Sequence, residues 1–375
     1  MSASKETTQV RFARTIQEKG LAGPDTPVLL MVSGGSDSTS LAYLAADLHR
    51  QGGLGQLAIL HVNHNLRGEA SDGDAEFVRS LAGALRIPLF MVQVDIPRLV
   101  QMTGDNLEAV ARQERYQAAN EALESLCLHV GAPLSEGRIF TAHTQDDRVE
   151  NFYMRSIVGT GPGGFRSMRY RNGSIVRPCL DVSRDDLRAY LGMRELDSAE
   201  DESVVLVRDS QGNLWREDAT NAHTDRFRAY VRHKIVPAAK ERNPRLLDTL
   251  CRSMNLIADE DDMLEGMALE LQNRYVSWLS ESSEPRYSEG CLLDPGMAIQ
   301  PKPLVRRCVT NVLQLMLGDE VRVESASVQA VVQAYDGQAP VSGYTANIQG
   351  DLAVSANKRG VRIEPMSAFR ARRKR

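Results

Sequence analysis

The sequence predicts an α/β fold with a doubly wound, mostly parallel sheet, followed by a smaller C-terminal α+β domain. Short β-rich runs at 28–32, 57–62, 89–94 and 138–142 alternate with helical patterns at about 37–50, 72–86 and 107–126, the mark of parallel strands joined by crossover helices. In such sheets ligands bind beyond the carboxyl ends of the strands. The first run leads into Ser33-Gly-Gly-Ser-Asp-Ser38, the second into Asn63-His-Asn-Leu-Arg67 and the fourth into His143-Thr-Gln-Asp-Asp147, all suited to nucleotide chemistry. After Asn243-Pro244 the pattern turns helical, and the end alternates over 347–354 and 360–364 as a small hairpin or sheet. The predicted domains are therefore 1–240 and 241–375, the second expected to bind RNA.

The strand at 28–32 matters most, because it runs straight into small residues and then a helix start. Gly34 and Gly35 let the backbone approach an anion, Ser33, Ser36 and Ser38 offer hydroxyl donors, and a helix opening near Asp37 supplies free N–H groups at its positive end. This is a phosphate cradle without the lysine of a Walker loop. A carboxylate, Asp37, stands in it instead, and a carboxylate beside polyphosphate calls for Mg²⁺ between them. The Gly-rich stretch 159–164 has no strand before it, so it reads as an RNA-contacting segment flanked by Arg155 and Arg166. The acidic stretch 197–209 lacks periodicity and is read within a surface insertion at about 192–214.

Composition bounds the function. With 375 residues, 42% hydrophobic and 25% charged, the chain is long enough for one large or two ordinary domains. No apolar run approaches the roughly 20 residues of a membrane span, and the first residues lack the apolar core of a signal peptide, so a cytoplasmic protein with no membrane partner is expected. Five cysteines, scattered with no C-x-x-C pair, argue against a structural zinc, an iron–sulfur cluster or a disulfide framework. His61, His64 and His143 lack a third imidazole or thiol at ligand spacing, which argues against a metal there. The net charge of −4 conceals segregation: arginines crowd 155–188 and 226–245, carboxylates crowd 259–289, and the tail 370–375 is basic. Separate basic stretches fit contact with a phosphate backbone.

The hexapeptide Ser33–Ser38 resembles the signature of the N-type ATP pyrophosphatases, the PP-loop superfamily with its adenine nucleotide alpha-hydrolase-like fold. Further blocks come in order: His61-Val-Asn-His-Asn-Leu-Arg-Gly68, Asn106-Leu-Glu-Ala-Val-Ala-Arg-Gln-Glu-Arg-Tyr116, Ala142-His-Thr-Gln-Asp-Asp-Arg-Val-Glu150, Arg177-Pro-Cys-Leu180 with Arg184, and Trp215 with Asp218, Thr220 and Asn221. The ordered set resembles the tRNA(Ile)-lysidine synthetases over about 28–237. That family uses ATP to replace the carbon-2 oxygen of a wobble cytidine in tRNA(Ile), anticodon CAU, with the ε-amine of L-lysine.

The resemblance implies roles residue by residue. Ser33, Gly34, Gly35, Ser36, Asp37, Ser38, Val62 and His64 would contact ATP, and Asp37, Asp146 and Asp147 would hold Mg²⁺. Arg112 would compensate charge at the α-phosphoryl, Asp147 and Glu150 would hold the lysine ammonium, and His143 would accept its proton. Arg155, Arg166, Arg228 and Arg232 would touch tRNA. Val158, Ala229 and extra residues between Tyr190 and Trp215 depart from the expected pattern, and they bear on tRNA contact rather than on the cradle. A tRNA thiolation enzyme of the same superfamily would need a cysteine pair near the site, and a binding module without catalysis would not need Asp37, Arg112 and the Asp146-Asp147 pair together. The sequence leaves the oligomeric state open, a homodimer included.

Overall fold

The computed structural model describes residues 6–63, 69–217, 227–280, 287–318 and 321–374. It divides into two compact units, 1–257 and 258–375. In chain order the first unit contains α1 (Thr8–Glu18), β1 (Val28–Met31), α2 (Ser36–Arg50), β2 (Leu57–Asn63), α3 (Glu69–Leu85), β3 (Leu89–Gln93), α4 (Ile96–Thr103), α5 (Leu107–Val130), β4 (Arg138–Phe140), α6 (Gln145–Val158), β5 (Arg171–Asn172), β6 (Ile175–Val176), α7 (Arg184–Glu200), α8 (Phe227–Tyr230) and α9 (Val236–Arg242). Helix α10 (Leu246–Tyr275) begins in it.

The sheet order is β3-β2-β1-β4-β6-β5. Every pairing is parallel except β5 with β6, which is the predicted class. Alternation along the strands sorts side chains into two cores, because successive residues point to opposite faces. Val28, Leu30, Leu57, Ile59 and Phe140 meet Phe12, Leu41, Leu44, Phe77, Leu81, Leu187 and Leu191. Leu29, Ala58, Leu60 and Ile139 meet Ala119, Ala122, Leu123 and Leu126 of α5. The central strands β1 and β4 are thus covered on both faces, and their carboxyl ends are the place left for a ligand.

Two predicted features change. The insertion at 192–214 starts inside α7, whose buried Leu187, Tyr190, Leu191 and Arg194 keep helical spacing. The irregular chain after it is not merely a surface loop, since Val205, Val207, Leu214 and Trp215 pack on the core. Arg194 is tolerated there because Asp47 pairs with it at 2.7 Å and the Tyr43 ring lies 4.3 Å from its guanidinium.

The second unit continues with β7 (Val276–Trp278), β8 (Cys291–Leu293), α11 (Lys302–Leu317), α12 (Ser325–Val332), β9 (Thr345–Ile348), β10 (Leu352–Asn357), β11 (Gly360–Pro365) and α13 (Met366–Arg373). Its antiparallel sheet runs β7-β8-β11-β10-β9. The run read as one alternating stretch, 347–354, is two strands, broken where Gly350 and Asp351 take φ of 74° and 53°. The basic tail begins inside α13, where Arg372 pairs with the buried Glu364 at 3.1 Å. All five cysteines are buried. Among the described residues no helix is long and apolar enough to cross a membrane.

Candidate active site

The chain leaves β1 through Ser33 and turns at Gly34, whose φ of +94° is the conformation a side chain disfavours. Helix α2 then starts with Gly35 as its N-cap, and no side chain closes that end. The loop braces itself from behind: Ser38 Oγ donates to the Gly35 carbonyl at 3.1 Å, and Thr39 Oγ1 to the Gly34 carbonyl at 3.2 Å. The Gly34 carbonyl also accepts from the Arg216 backbone N–H at 2.9 Å. Arg216 is itself tied to Asp74 at 3.1 Å and Asp209 at 3.2 Å. With its carbonyls engaged, the loop turns its open helix end to the site, where an anion is favoured.

Helix α6 supplies the opposite wall. Thr144 is its N-cap and forms a capping box with Asp147. Asp147 Oδ2 accepts from the Thr144 N–H at 2.8 Å, while Oδ1 meets Arg228 at 2.7 Å and Arg184 at 3.5 Å. One turn on, Glu150 is 2% exposed and accepts from Arg232 Nε at 2.6 Å and Arg228 Nε at 2.8 Å, with Arg184 at 3.7 Å. Asp146 accepts from the Arg184 N–H at 2.8 Å and lies 3.4 Å from Lys240. Arg184 reaches back to Asp37 at 3.1 Å, so one guanidinium bridges the phosphate loop and the carboxylates of α6.

Arg228 reaches α6 from α8, and Arg232 from the widened turn that follows it. Pro237 lacks an N–H and cannot continue an ordinary helical ladder. The chain forms a π-helical turn over Val231–Ile235, where the Val236 N–H donates to the carbonyl five residues back.

These environments set the protonation states. Burial pushes Asp37 above the usual carboxylate range, and Arg184 only partly offsets it. Burial also acts on Asp147, but there Arg228 and Arg184 outweigh it and hold the carboxyl below its usual range. Burial pushes the His143 imidazole down to about 4, against the opposing pull of Asp147. His143 Nδ1 shares a hydrogen bond of 2.9 Å with Thr141 Oγ1. It is therefore neutral at physiological pH.

The loop and this cluster line one cavity of about 1470 Å³, with Ser33, Gly35, Ser36, Asp37 and Ser38 at one side and His143, Asp146, Asp147 and Glu150 at another. That exceeds the roughly 300–1,000 Å³ typical of a single small-molecule pocket, so it has room for more than one substrate. Arg184, Arg188, Arg228, Arg232 and Trp215 also line it.

Other expected site residues lie elsewhere. Arg112 is exposed, is not among the lining residues, and stacks over the Tyr116 ring at 4.9 Å. Arg115, one turn on, is the α5 arginine that lines the cavity. Val62 packs in the core on the α5 side. Arg155 is exposed on α6 and donates to Asn151 at 2.8 Å, and Arg166 ends a short 3-10 turn docked through Phe165 on Phe152. The Gly-rich segment is thus anchored. His64, Asp218, Thr220 and Asn221 lie outside the described residues, as does the Glu108 side chain. Asp37, Asp146 and Asp147 do not gather into a metal-binding cluster among the described residues. Each already holds an Arg or Lys partner.

A glycine-bent loop at the carboxyl end of the first strand, opening on an uncapped helix, is the geometry of a phosphate-binding loop. The PP-loop domain family model matches residues 5–208. Curated relatives are more specific. The tRNA(Ile)-lysidine synthase of Thermus thermophilus is 37% identical over 245 residues, 65% of this chain and 42% of that protein. That of Geobacter sulfurreducens is 28% identical over 316 residues, 84% of this chain and 60% of that protein. That of Chlorobaculum tepidum is 32% identical over 279 residues, 73% of each chain. Among solved structures, the U34-tRNA thiolase NcsA from Methanococcus maripaludis is similar with a TM-score of 0.48 and 16% identity, covering 67% of this chain and 78% of that one. The chain belongs to the tRNA(Ile)-lysidine synthase family of PP-loop proteins. It spans less than two thirds of the length of the first two relatives.

Proposed function

We propose that the chain uses ATP to join free L-lysine to carbon 2 of the wobble cytidine in the CAU anticodon of tRNA(Ile), giving lysidine, AMP and pyrophosphate. The modified base pairs with A instead of G and moves codon reading from AUG to AUA. The observation that carries this reading is the shared cavity, in which a phosphate loop faces a buried carboxylate pair. With a tRNA as substrate, the chain would act in the cytoplasm.

The carbon-2 oxygen of cytidine is a poor leaving group until it is adenylated. It attacks the α-phosphorus of ATP and pyrophosphate leaves. The open N-terminus of α2 and the Ser33 and Ser36 hydroxyls meet the departing phosphates. Arg188, 3.5 Å from Ser36 Oγ, and Arg184 stand where an arginine is needed for charge compensation. Mg²⁺ would be held by Asp37 together with phosphate oxygens and would neutralise charge on the pyrophosphate. The lysine ammonium then takes the place of a guanidinium at Asp147 and Glu150. The ammonium would first give one proton to solvent; the neutral amine then attacks carbon 2, AMP leaves with the electron pair of the C–O bond, and neutral His143 accepts the second proton from the nitrogen. Sulfur transfer is not favoured, since all five cysteines are buried.

Two expected results test the lysine side. Glu150→Gln keeps the shape but weakens the negative site, so the lysine KM should rise about tenfold, on the scale of one lost charge-assisted hydrogen bond, while the ATP KM hardly moves. Equal changes in both constants would remove Glu150 from lysine binding. The rate should also rise with pH through the neutral range as the amine loses its proton. With His143 at about 4, that rise is not its titration, so His143→Gln should lower the rate without changing the shape of the profile above neutrality.

A further inference from the structure

We propose that Arg112, Arg115 and Arg177 form a second anion site, separate from the phosphate loop, that takes a backbone phosphodiester of the RNA beside the target nucleotide. The proposal rests on the RNA-modifying function proposed for the chain and adds to it the place where the strand is gripped. Arg112 and Arg115 are three residues apart on α5, hence neighbours on one face. Arg177 comes directly after β6, whose neighbour β4 leads to Thr141 and His143. The three converge on Tyr116: Arg112 lies over its ring at 4.9 Å, and the Arg177 guanidinium donates to its hydroxyl.

Arg112 is a like charge close to both Arg115 and Arg177. Burial and then Arg112 hold the Arg177 guanidinium below its usual range, despite the opposing pull of Tyr116. Arg177 donates one terminal N–H to the Arg169 carbonyl at 2.8 Å, but its buried Nε finds no acceptor among the described residues. A buried donor left without an acceptor is costly, and an arriving ligand with several acceptor oxygens removes the cost. Phosphate fits: it is anionic and takes guanidinium in two-pronged fashion. The ATP phosphates are already provided for at Ser33–Ser38, with Arg184 and Arg188 beside them. Arg115 and His143 line the main cavity, so a strand held here could deliver its base into the chamber. A base taken out of its stack needs its flanking phosphates fixed.

The test uses the full chain and a short anticodon stem-loop RNA with a wobble cytidine, titrated over a salt series, with ATP binding measured in parallel. The Arg115→Gln, Arg177→Gln double variant should bind the stem-loop about tenfold or more weakly, with a salt slope shallower by about 1 to 2, while ATP affinity stays within about twofold. Exposed Arg112→Gln, which does not disturb the fold, should shift RNA binding the same way to a smaller extent. Wild-type RNA affinity in a folded double variant and in Arg112→Gln would overturn the proposal. Loss of ATP binding with RNA affinity kept would overturn it too, by giving the cluster to the nucleotide. If the wild-type chain binds no stem-loop, the RNA reading itself fails and the proposal falls with it.

Discussion

Asp37→Asn should abolish most pyrophosphate release, lowering the rate by roughly a hundredfold or more, the scale of losing a major electrostatic stabiliser, while leaving the protein folded. The same change should not destabilise the chain at neutral pH. Burial raises the Asp37 pKa in the folded state. A carboxyl raised in this way favours folding below its unfolded pKa, and that contribution is lost as pH rises through the folded value. At pH 7 the charged form therefore costs stability, and a neutral isostere relieves the cost. Denaturant unfolding at pH 7 together with a pyrophosphate assay checks both halves. Activity within a few-fold of wild type would remove Asp37 from the site, and a large loss of stability would show that its pairing with Arg184 holds the fold.

Asp147→Ala should be the most destabilising single change in the site. It removes the acceptor for the Thr144 N–H and leaves Arg228 and Arg184 without their shared carboxylate. Because Arg228 is partly exposed and both arginines keep Glu150 as a partner, the cost is set by the lost cap and counter-ion, about 2–3 kcal/mol. The pH dependence has the opposite sign to that of Asp37. The Asp147 pKa is held low, so its contribution is present above the unfolded value of 3.8 and is lost as pH falls through the lower folded value. Wild type should lose stability in that acid window, and the variant should show a flatter acid limb. A variant within about 1 kcal/mol of wild type at neutral pH would mean that Asp147 is neither cap nor counter-ion.

Strands β1 to β4 of the first unit are legible in the sequence because each is a short apolar run beside a turn or a glycine. The 57–62 run needs one residue more to match β2, and the 28–32, 89–94 and 138–142 runs end one, one and two residues past β1, β3 and β4. The two-residue strands β5 and β6 are too short to carry a pattern and are not predicted. The phosphate loop is legible for a local reason, since it is built from six consecutive residues. Arg184 is not legible as a site residue, although it belongs to the block that begins at Arg177. It lies 147 positions from Asp37 in the chain, and nothing in local pattern says that α7 brings the two together. Arg228 and Arg232 read as arms for RNA, because helical spacing gives a face but not a partner. In the structure both pair with Glu150, at 2.8 and 2.6 Å. Arg112 is expected at the nucleotide and stands outside the cavity lining, its guanidinium held over the Tyr116 ring while Arg115 on the same helix face lines the cavity.

The central claim is that one cavity brings ATP, lysine and a wobble cytidine together. It is tested most directly by incubating the chain with ATP, labelled lysine and a panel of tRNAs. Label should enter tRNA(Ile) bearing a CAU anticodon, in step with formation of AMP and pyrophosphate, and enter no tRNA without a wobble cytidine. ATP cleavage with no label in that tRNA, by a chain that binds it, would contradict the claim.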